Sequence, residues 1–208
     1  LFLIPLTMHP MALPDQLRKY LTAANKKFEA VTHKTVYTAY DLAATLKEKL
    51  EHIGKALLVK TEKGFVVVVV PASRRINFKK LKKALGVKSV SLPTEEMLAK
   101  VFNVKGAAMT AFGALHQLET WVDKNLAKAK QEVVLQAGSF TDAVRMRAKD
   151  FIELEQATVA DLAEAAGYKL PKAAKKKPSK KVRPSRGKRG KKSAEKKVAK
   201  KKPTKRKR

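Results

Sequence analysis

Lys55 is the first residue in this sequence whose type and setting point to chemistry. It lies in Gly54-Lys55-Ala56-Leu57-Leu58-Val59, a run whose period-2 alternation places it on one strand face with Leu57 and Val59. Ala56, Leu58 and Lys60 take the other face. An ammonium on a mostly apolar face calls for an anionic partner; the competing reading is a strand-end lysine whose head reaches back to water. A second candidate is Ala137-Gly138-Ser139. Glycine there permits close backbone approach to a ligand, and successive N–H groups could receive a carbonyl or carboxylate oxygen, although glycines between strands also simply make turns. The third is the Gly/Ala stretch Gly106 to Gly113, which also reads as an ordinary surface connection. The four histidines, His9, His33, His52 and His116, have no metal-ligand spacing, and there is no Gly-x-Ser-x-Gly elbow or phosphate-cradling loop. Zero cysteines exclude disulfides, thiolate zinc sites and a cysteine nucleophile.

The charge balance narrows the partners. The 208 residues carry 47 Lys+Arg against 18 Asp+Glu, a net +29, and such a chain needs a polyanion, with nucleic acid first. From Pro171 to Arg208 there are 21 basic residues and one acid, Glu195, so this segment holds +20 and the rest +9. Clusters such as Lys175-Lys176-Lys177 and Lys200-Lys201-Lys202, spaced by Pro, Ser, Ala and Gly, cannot bury enough apolar surface to fold alone. The tail is expected to be disordered and to grip RNA or DNA phosphates electrostatically. The opening residues 1–12 read as a disordered leader, too short and uncharged for a signal peptide or membrane span. The expectation is one domain over 13–168, a basic tail over 169–208, no membrane, and a cytoplasmic protein.

Elements that would position these residues can be read along the domain. Leu17, Tyr20, Leu21 and Ala24 make an amphipathic helix within Leu13 to Asn25. Phe28 to Val31 is a strand, and Thr38 with Asp41 has capping-box-like spacing before a helix bearing Leu42, Leu46 and Leu50. Lys55 to Thr61 and Phe65 to Val70 form a hairpin around Glu62-Lys63-Gly64. Asn77 caps a helix that turns Phe78, Leu81 and Leu85 inward and Lys79, Lys80, Lys82 and Lys83 outward, before Gly86 ends it. Val87 to Leu92 is a short strand and Thr94 to Phe102 a helix. Val133 to Leu135 and Ala143 to Met146 are strands; Asp150 to Glu155 and Thr158 to Ala165 are helical turns. The sum is an α/β protein of the α+β type, with a mixed, largely antiparallel sheet and surrounding helices.

Taken in order, these pieces resemble the YbaK/EbsC-like aminoacyl-tRNA deacylases, the editing module also inserted in bacterial prolyl-tRNA synthetases. The resemblance spans about Phe28 to Leu154. Its matching pieces are His33-Lys34-Thr35-Val36-Tyr37-Thr38-Ala39, Gly54 to Val59, Pro71-Ala72, Asn77 to Leu81, Ala84-Leu85-Gly86, Gly106-Ala107, Phe112-Gly113, Trp121-Val122-Asp123, Ala137-Gly138-Ser139, Ala143 to Met146 and Asp150-Phe151. The family's loop usually ends Pro-Phe-Gly where this chain has Ala111-Phe112-Gly113. Asparagine commonly follows the lysine in the relative that edits alanyl-tRNA of proline, and here Ala56 does, so that specificity is not assigned.

The resemblance implies that Lys55 is the family's functional lysine and Gly138 the glycine beside its substrate pocket. It implies Tyr37, Thr38, Gly106, Phe112, Gly113 and Ser139 as substrate-binding residues. The implied reaction hydrolyses the ester between a wrong amino acid and the terminal ribose of tRNA, without metal or cofactor. The basic residues Lys79, Lys80, Lys82, Lys83 and the tail clusters would hold nucleic acid: tRNA, with ribosomal RNA or DNA as further tail targets. The competing reading is a non-catalytic RNA- or DNA-associated protein that keeps the fold.

Overall fold

A computed structural model describes residues 13–102, 109–128 and 132–166; the leader, Gly106 and the basic tail lie outside them. Helix α1 (Asp15–Ala23) buries Leu17 and Leu21, one turn apart. Helix α2 (Ala39–Leu46) starts where the Thr38 hydroxyl accepts the Asp41 N–H, and stops where Lys47 takes a left-handed conformation with φ of 56°. Leu50, expected on the same helix, therefore falls in a separate 3-10 turn, Leu50–His52. Helix α3 (Phe78–Leu85) is bounded as its sequence demands, by Asn77 accepting from the Lys79 and Lys80 N–H groups and by Gly86 at φ 62°. Helices α4 (Glu95–Phe102), α5 (Lys124–Ala127) and α6 (Ala148–Leu154) complete the helical set among the described residues.

The strands are β1 (Phe28–Thr32), β2 (Ile53–Thr61), β3 (Gly64–Pro71), β4 (Arg74–Ile76), β5 (Val90–Ser91), β6 (Glu119–Asp123), β7 (Glu132–Gln136), β8 (Asp142–Arg147), β9 (Thr158–Ala160) and β10 (Ala163–Ala165). The main sheet runs β1-β8-β7-β2-β3-β6-β9, with β5 paired to the end of β2 and a separate β4–β10 pair. β2 pairs with β7 in parallel, as do β3 with β6 and β6 with β9; the other pairs are antiparallel. The architecture is α+β with a mixed, mostly antiparallel sheet, as expected.

Five successive valines, Val66 to Val70, are buried on both sheet faces, which is what a strand covered on both sides requires. Ala56, Leu58, Val67 and Val69 pack with Leu17, Leu21, Phe112 and Phe151 on the face covered by α1 and α6. The other face carries Ile53 and Val134 against Ala39, Leu42 and Ala43 of α2, and Val59, Val68 and Val70 against Leu81 of α3 and Leu162.

Several expectations are corrected. Thr158 to Ala165 forms strands β9 and β10 rather than helical turns, because its backbone pairs with β6 and β4. Strand β6 and strand β4 were not foreseen. The hairpin loop is two residues, since Thr61 pairs with Gly64, and the strand expected over Val87 to Leu92 shortens to Val90–Ser91. Phe78 is 40 % exposed: as the first helical residue it lies outside the cluster that Leu81 anchors.

Candidate active site

Parallel pairing of Ile53 with Val134 and Gly54 with Leu135 sets the register that builds the site. One step further, Lys55 lies beside Gln136. Both share the face of Ile53 and Val134, since side chains alternate along each strand. The Lys55–Leu57–Val59 face read from sequence is thus present, and the lysine is half-buried on it. Its Nζ donates to the Arg74 carbonyl at 3.1 Å. Burial lowers its pKa from the ordinary lysine value, because desolvation disfavours the charged form. The Ala56 N–H turns to the side-chain Oε1 of Gln136 at 3.3 Å. That bond fixes the carboxamide with its oxygen toward the strand and leaves the NH₂ donors for a ligand.

Gln136 leads into a recess lined by His33, Tyr37, Thr38, Met109, Ser139 and Asp142, with Leu42 among its apolar lining. Two segments are tied together around it. The His33 N–H donates to the Thr141 carbonyl at 2.8 Å and the Val36 N–H to the Phe140 carbonyl at 2.9 Å. The Tyr37 and Phe140 rings meet with centroids 5.2 Å apart. Met109 and Ala111 hydrogen-bond to Gly138 and Gln136, so the segment after the Gly106 region closes on the Ala137-Gly138-Ser139 turn.

Of the expected site residues, Tyr37, Thr38 and Ser139 line this recess, with Gly138 and Lys55 as its chain and strand neighbours. Thr38 also caps α2, its hydroxyl donating to Asp41 at 2.8 Å. Phe112 and Gly113 are not brought there. Phe112 is fully buried and stacks edge-on against Phe151 at 5.5 Å, on the sheet face away from α2. Gly113 is glycine for packing: a Cβ would stand 2.6 Å from the Thr120 hydroxyl and 2.9 Å from the Leu118 carbonyl. Of the four α3 lysines, Lys80 turns back to Asp161 at 3.0 Å, whereas Lys79 and Lys83 are exposed. Gly106 and the tail lysines lie outside the described residues.

Sequence reasoning missed Gln136, Asp142 and the recess role of His33. A polar residue closing the apolar run Val133-Val134-Leu135 was the available signal for Gln136; Asp142 and His33 meet only through the β1–β8 pairing. The buried Glu155 accepts from Thr120 at 2.8 Å, Tyr20 at 3.1 Å and the Ala114 N–H at 3.0 Å. Burial raises its pKa, yet it serves the core on the α1 side, away from the recess. No group of three or more His, Asp or Glu placed to hold a metal occurs among the described residues. None of their helices is long and apolar enough to cross a membrane.

Gly138 adopts φ of +82°, and a Cβ there would meet only Thr110 at 3.6 Å. A side chain has room, so the requirement for glycine is conformational. Gly138→Ala is expected to destabilise the fold by about 1–2 kcal/mol through backbone strain. Thermal denaturation checks this; an unchanged Tm would mean that the turn relaxes freely.

Residues 33–154 match the aminoacyl-tRNA editing domain family. The chain is 31 % identical over 109 residues to a proline--tRNA ligase of Thermosipho melanesiensis, covering 52 % of this chain and 19 % of that protein. It is 34 % identical over 91 residues to the Thermosipho africanus ligase, covering 44 % and 16 %. The chain thus spans under a fifth of these relatives' length. A solved structure described as "a putative trans-editing enzyme for prolyl tRNA synthetase" superposes with a TM-score of 0.65 at 22 % identity, covering 76 % of this chain and all of that one. The match over 33–154, more than half of its length, makes this chain a member of the aminoacyl-tRNA editing domain family.

Proposed function

We propose that the chain is a trans-editing aminoacyl-tRNA deacylase, which hydrolyses the ester joining a wrong amino acid to the 3′ end of tRNA. The observation that carries this reading is a half-buried lysine beside a recess of hydrogen-bonding groups, within a fold of the editing family. An aminoacyl ester is already activated, so positioning and electrostatic stabilisation suffice and no covalent nucleophile is needed. Water adds to the ester carbonyl, and the carbonyl oxygen becomes an oxyanion. Collapse then breaks the bond to the ribose oxygen, which takes a proton, leaving free amino acid and intact tRNA. Lys55 supplies an ammonium for the developing oxyanion or the terminal phosphate. The Gln136 NH₂ offers neutral donors on the same face. The left-handed turn at Gly138, bare of a side chain, would let the ester approach the backbone. The test is release of free amino acid from mischarged tRNA; a non-catalytic RNA-binding protein releases none.

The basic residues extend the same reading. Lys79, Lys82 and Lys83 on α3 would contact tRNA phosphates, and the +20 segment from Pro171 would supply most of the affinity. Deleting Pro171 to Arg208 is expected to weaken tRNA binding and flatten its salt dependence, while leaving cleavage at saturating tRNA nearly unchanged. Six tail contacts would give a log–log salt slope of about −4 to −5, most of which the deletion removes. Binding across a salt series, with single-turnover cleavage at saturation, checks this. Loss of cleavage at saturation in a folded truncated protein would mean that the tail helps build the site.

A further inference from the structure

Lys55 is held by a strand that lies outside the main sheet. Its ammonium donates to the Arg74 carbonyl at 3.1 Å, and Arg74 belongs to β4, which among the described strands pairs with β10 alone. The register sets Ala163 against Ile76, Glu164 against Arg75 and Ala165 against Arg74. Along such a pair, successive residues turn their backbone groups to opposite edges. The Asn77 N–H donates to the Leu162 carbonyl at 2.9 Å, so Glu164, two residues on, also faces β4 and pairs with Arg75. The Arg74 carbonyl therefore leaves β4 by the other edge, away from β10, where Lys55 meets it. An ammonium has three donors. One is used on this carbonyl, and two are left for the ester.

A side-chain clasp reinforces the ladder. Glu164 Oε1 accepts from Arg75 Nε at 2.6 Å, and its Oε2 accepts from the side-chain amide of Asn77, the residue that caps α3. The bonds from Asn77 and Arg75 hold the Glu164 carboxyl below the ordinary carboxylate value. One carboxylate thus grips β4 at the residue after Arg74 and again where β4 passes into α3. The Asp123 bonds to the Leu162 and Ala163 N–H groups lie at the start of β10 and do not touch β4, so they are not part of this tie. The family match ends at residue 154, and β10 (Ala163–Ala165) lies beyond it.

We infer that Glu164 is a positioning residue for the reaction: it fixes β4, the Arg74 carbonyl fixes the Lys55 ammonium, and the ammonium then faces the developing oxyanion. The inference rests on the deacylase reading and adds to it a strand beyond the matched region. A lysine head on its flexible four-carbon stem samples many positions unless it is held, and a reacting group gains when its place is set before the substrate arrives. Substrate binding falls to the recess and the basic residues, which do not need the clasp. Loss of Glu164 therefore belongs in kcat and not in KM.

The experiment compares the full chain with its Glu164→Ala variant in saturation kinetics on a mischarged tRNA that the wild-type protein cleaves. The variant should fold, and its kcat is expected to fall at least about threefold with KM unchanged, the scale of one surface ion pair. Glu164→Pro also removes the ladder N–H and should lower kcat further. In Lys55→Ala protein, Glu164→Ala should have no added effect, because the group it positions is gone. An unchanged kcat in folded Glu164→Ala, a rise in KM alone, or an equal fall with and without Lys55 would overturn the positioning role and leave the deacylase reading intact. No release by the wild-type chain from any aminoacyl-tRNA would overturn both.

Discussion

Single-turnover release of amino acid by Lys55→Ala is expected to fall at least about tenfold, or ~1.4 kcal/mol of transition-state stabilisation. The fold should survive. Its ammonium donates to the Arg74 carbonyl at 3.1 Å, and a typical hydrogen bond is worth about 1 kcal/mol net. The pH dependence carries a sign as well. In the proposed mechanism the ammonium is the useful form, and burial lowers its pKa below the usual lysine value of 10.5. The enzyme-dependent rate, corrected for base hydrolysis of the ester, should therefore decline with rising pH at a midpoint below that of a free lysine, and this limb should vanish in Lys55→Ala. Wild-type rates from a folded Lys55→Ala protein would remove the lysine from the mechanism.

The largest loss of stability is expected from Asp123→Ala. Asp123 is fully buried at the end of β6, and it accepts four hydrogen bonds. Oδ2 takes the Leu162 and Ala163 N–H groups at 3.0 Å each. Oδ1 takes the Asn125 N–H at 2.9 Å and its side-chain amide at 2.7 Å. Alanine leaves two buried backbone donors without partners and removes the cap of α5, a loss of about 3–5 kcal/mol. Chemical denaturation measures it, and a change below about 1 kcal/mol would show that water or backbone shifts replace the carboxylate. Residual folded protein should keep its cleavage rate, because this aspartate, though part of the sequence motif, holds the β9–β10 corner and not the recess.

That same corner explains where sequence reading stopped. Val159, Leu162 and Ala163 in an alanine-rich run have helix-like spacing, but the Leu162 and Ala163 donors go to a carboxylate 39 and 40 residues away in sequence. Nothing local signals that. Likewise β6, Glu119 to Asp123, has no turn residue just before it and becomes a strand by pairing with Val66 to Val69. Helix α3 was legible from Asn77 to Gly86 because both ends are made by local side-chain and backbone chemistry. The α2 start at Thr38 was legible for the same reason, but not its early stop at Lys47. Lys55 was legible as a lysine on an apolar face, whereas its neighbour Gln136 depended on the β2–β7 register. Phe112 and Gly113 were placed with the site by their loop, and the structure gives them to the core, because only packing decides which side of a loop a side chain faces.

Single-turnover incubation of the full chain with a panel of mischarged tRNAs, scored by free amino acid released above the uncatalysed rate, tests the central claim most directly. The account predicts release from at least one mischarged tRNA, strongly reduced when Lys55 is replaced. Tight tRNA binding with no release from any member of the panel would contradict it.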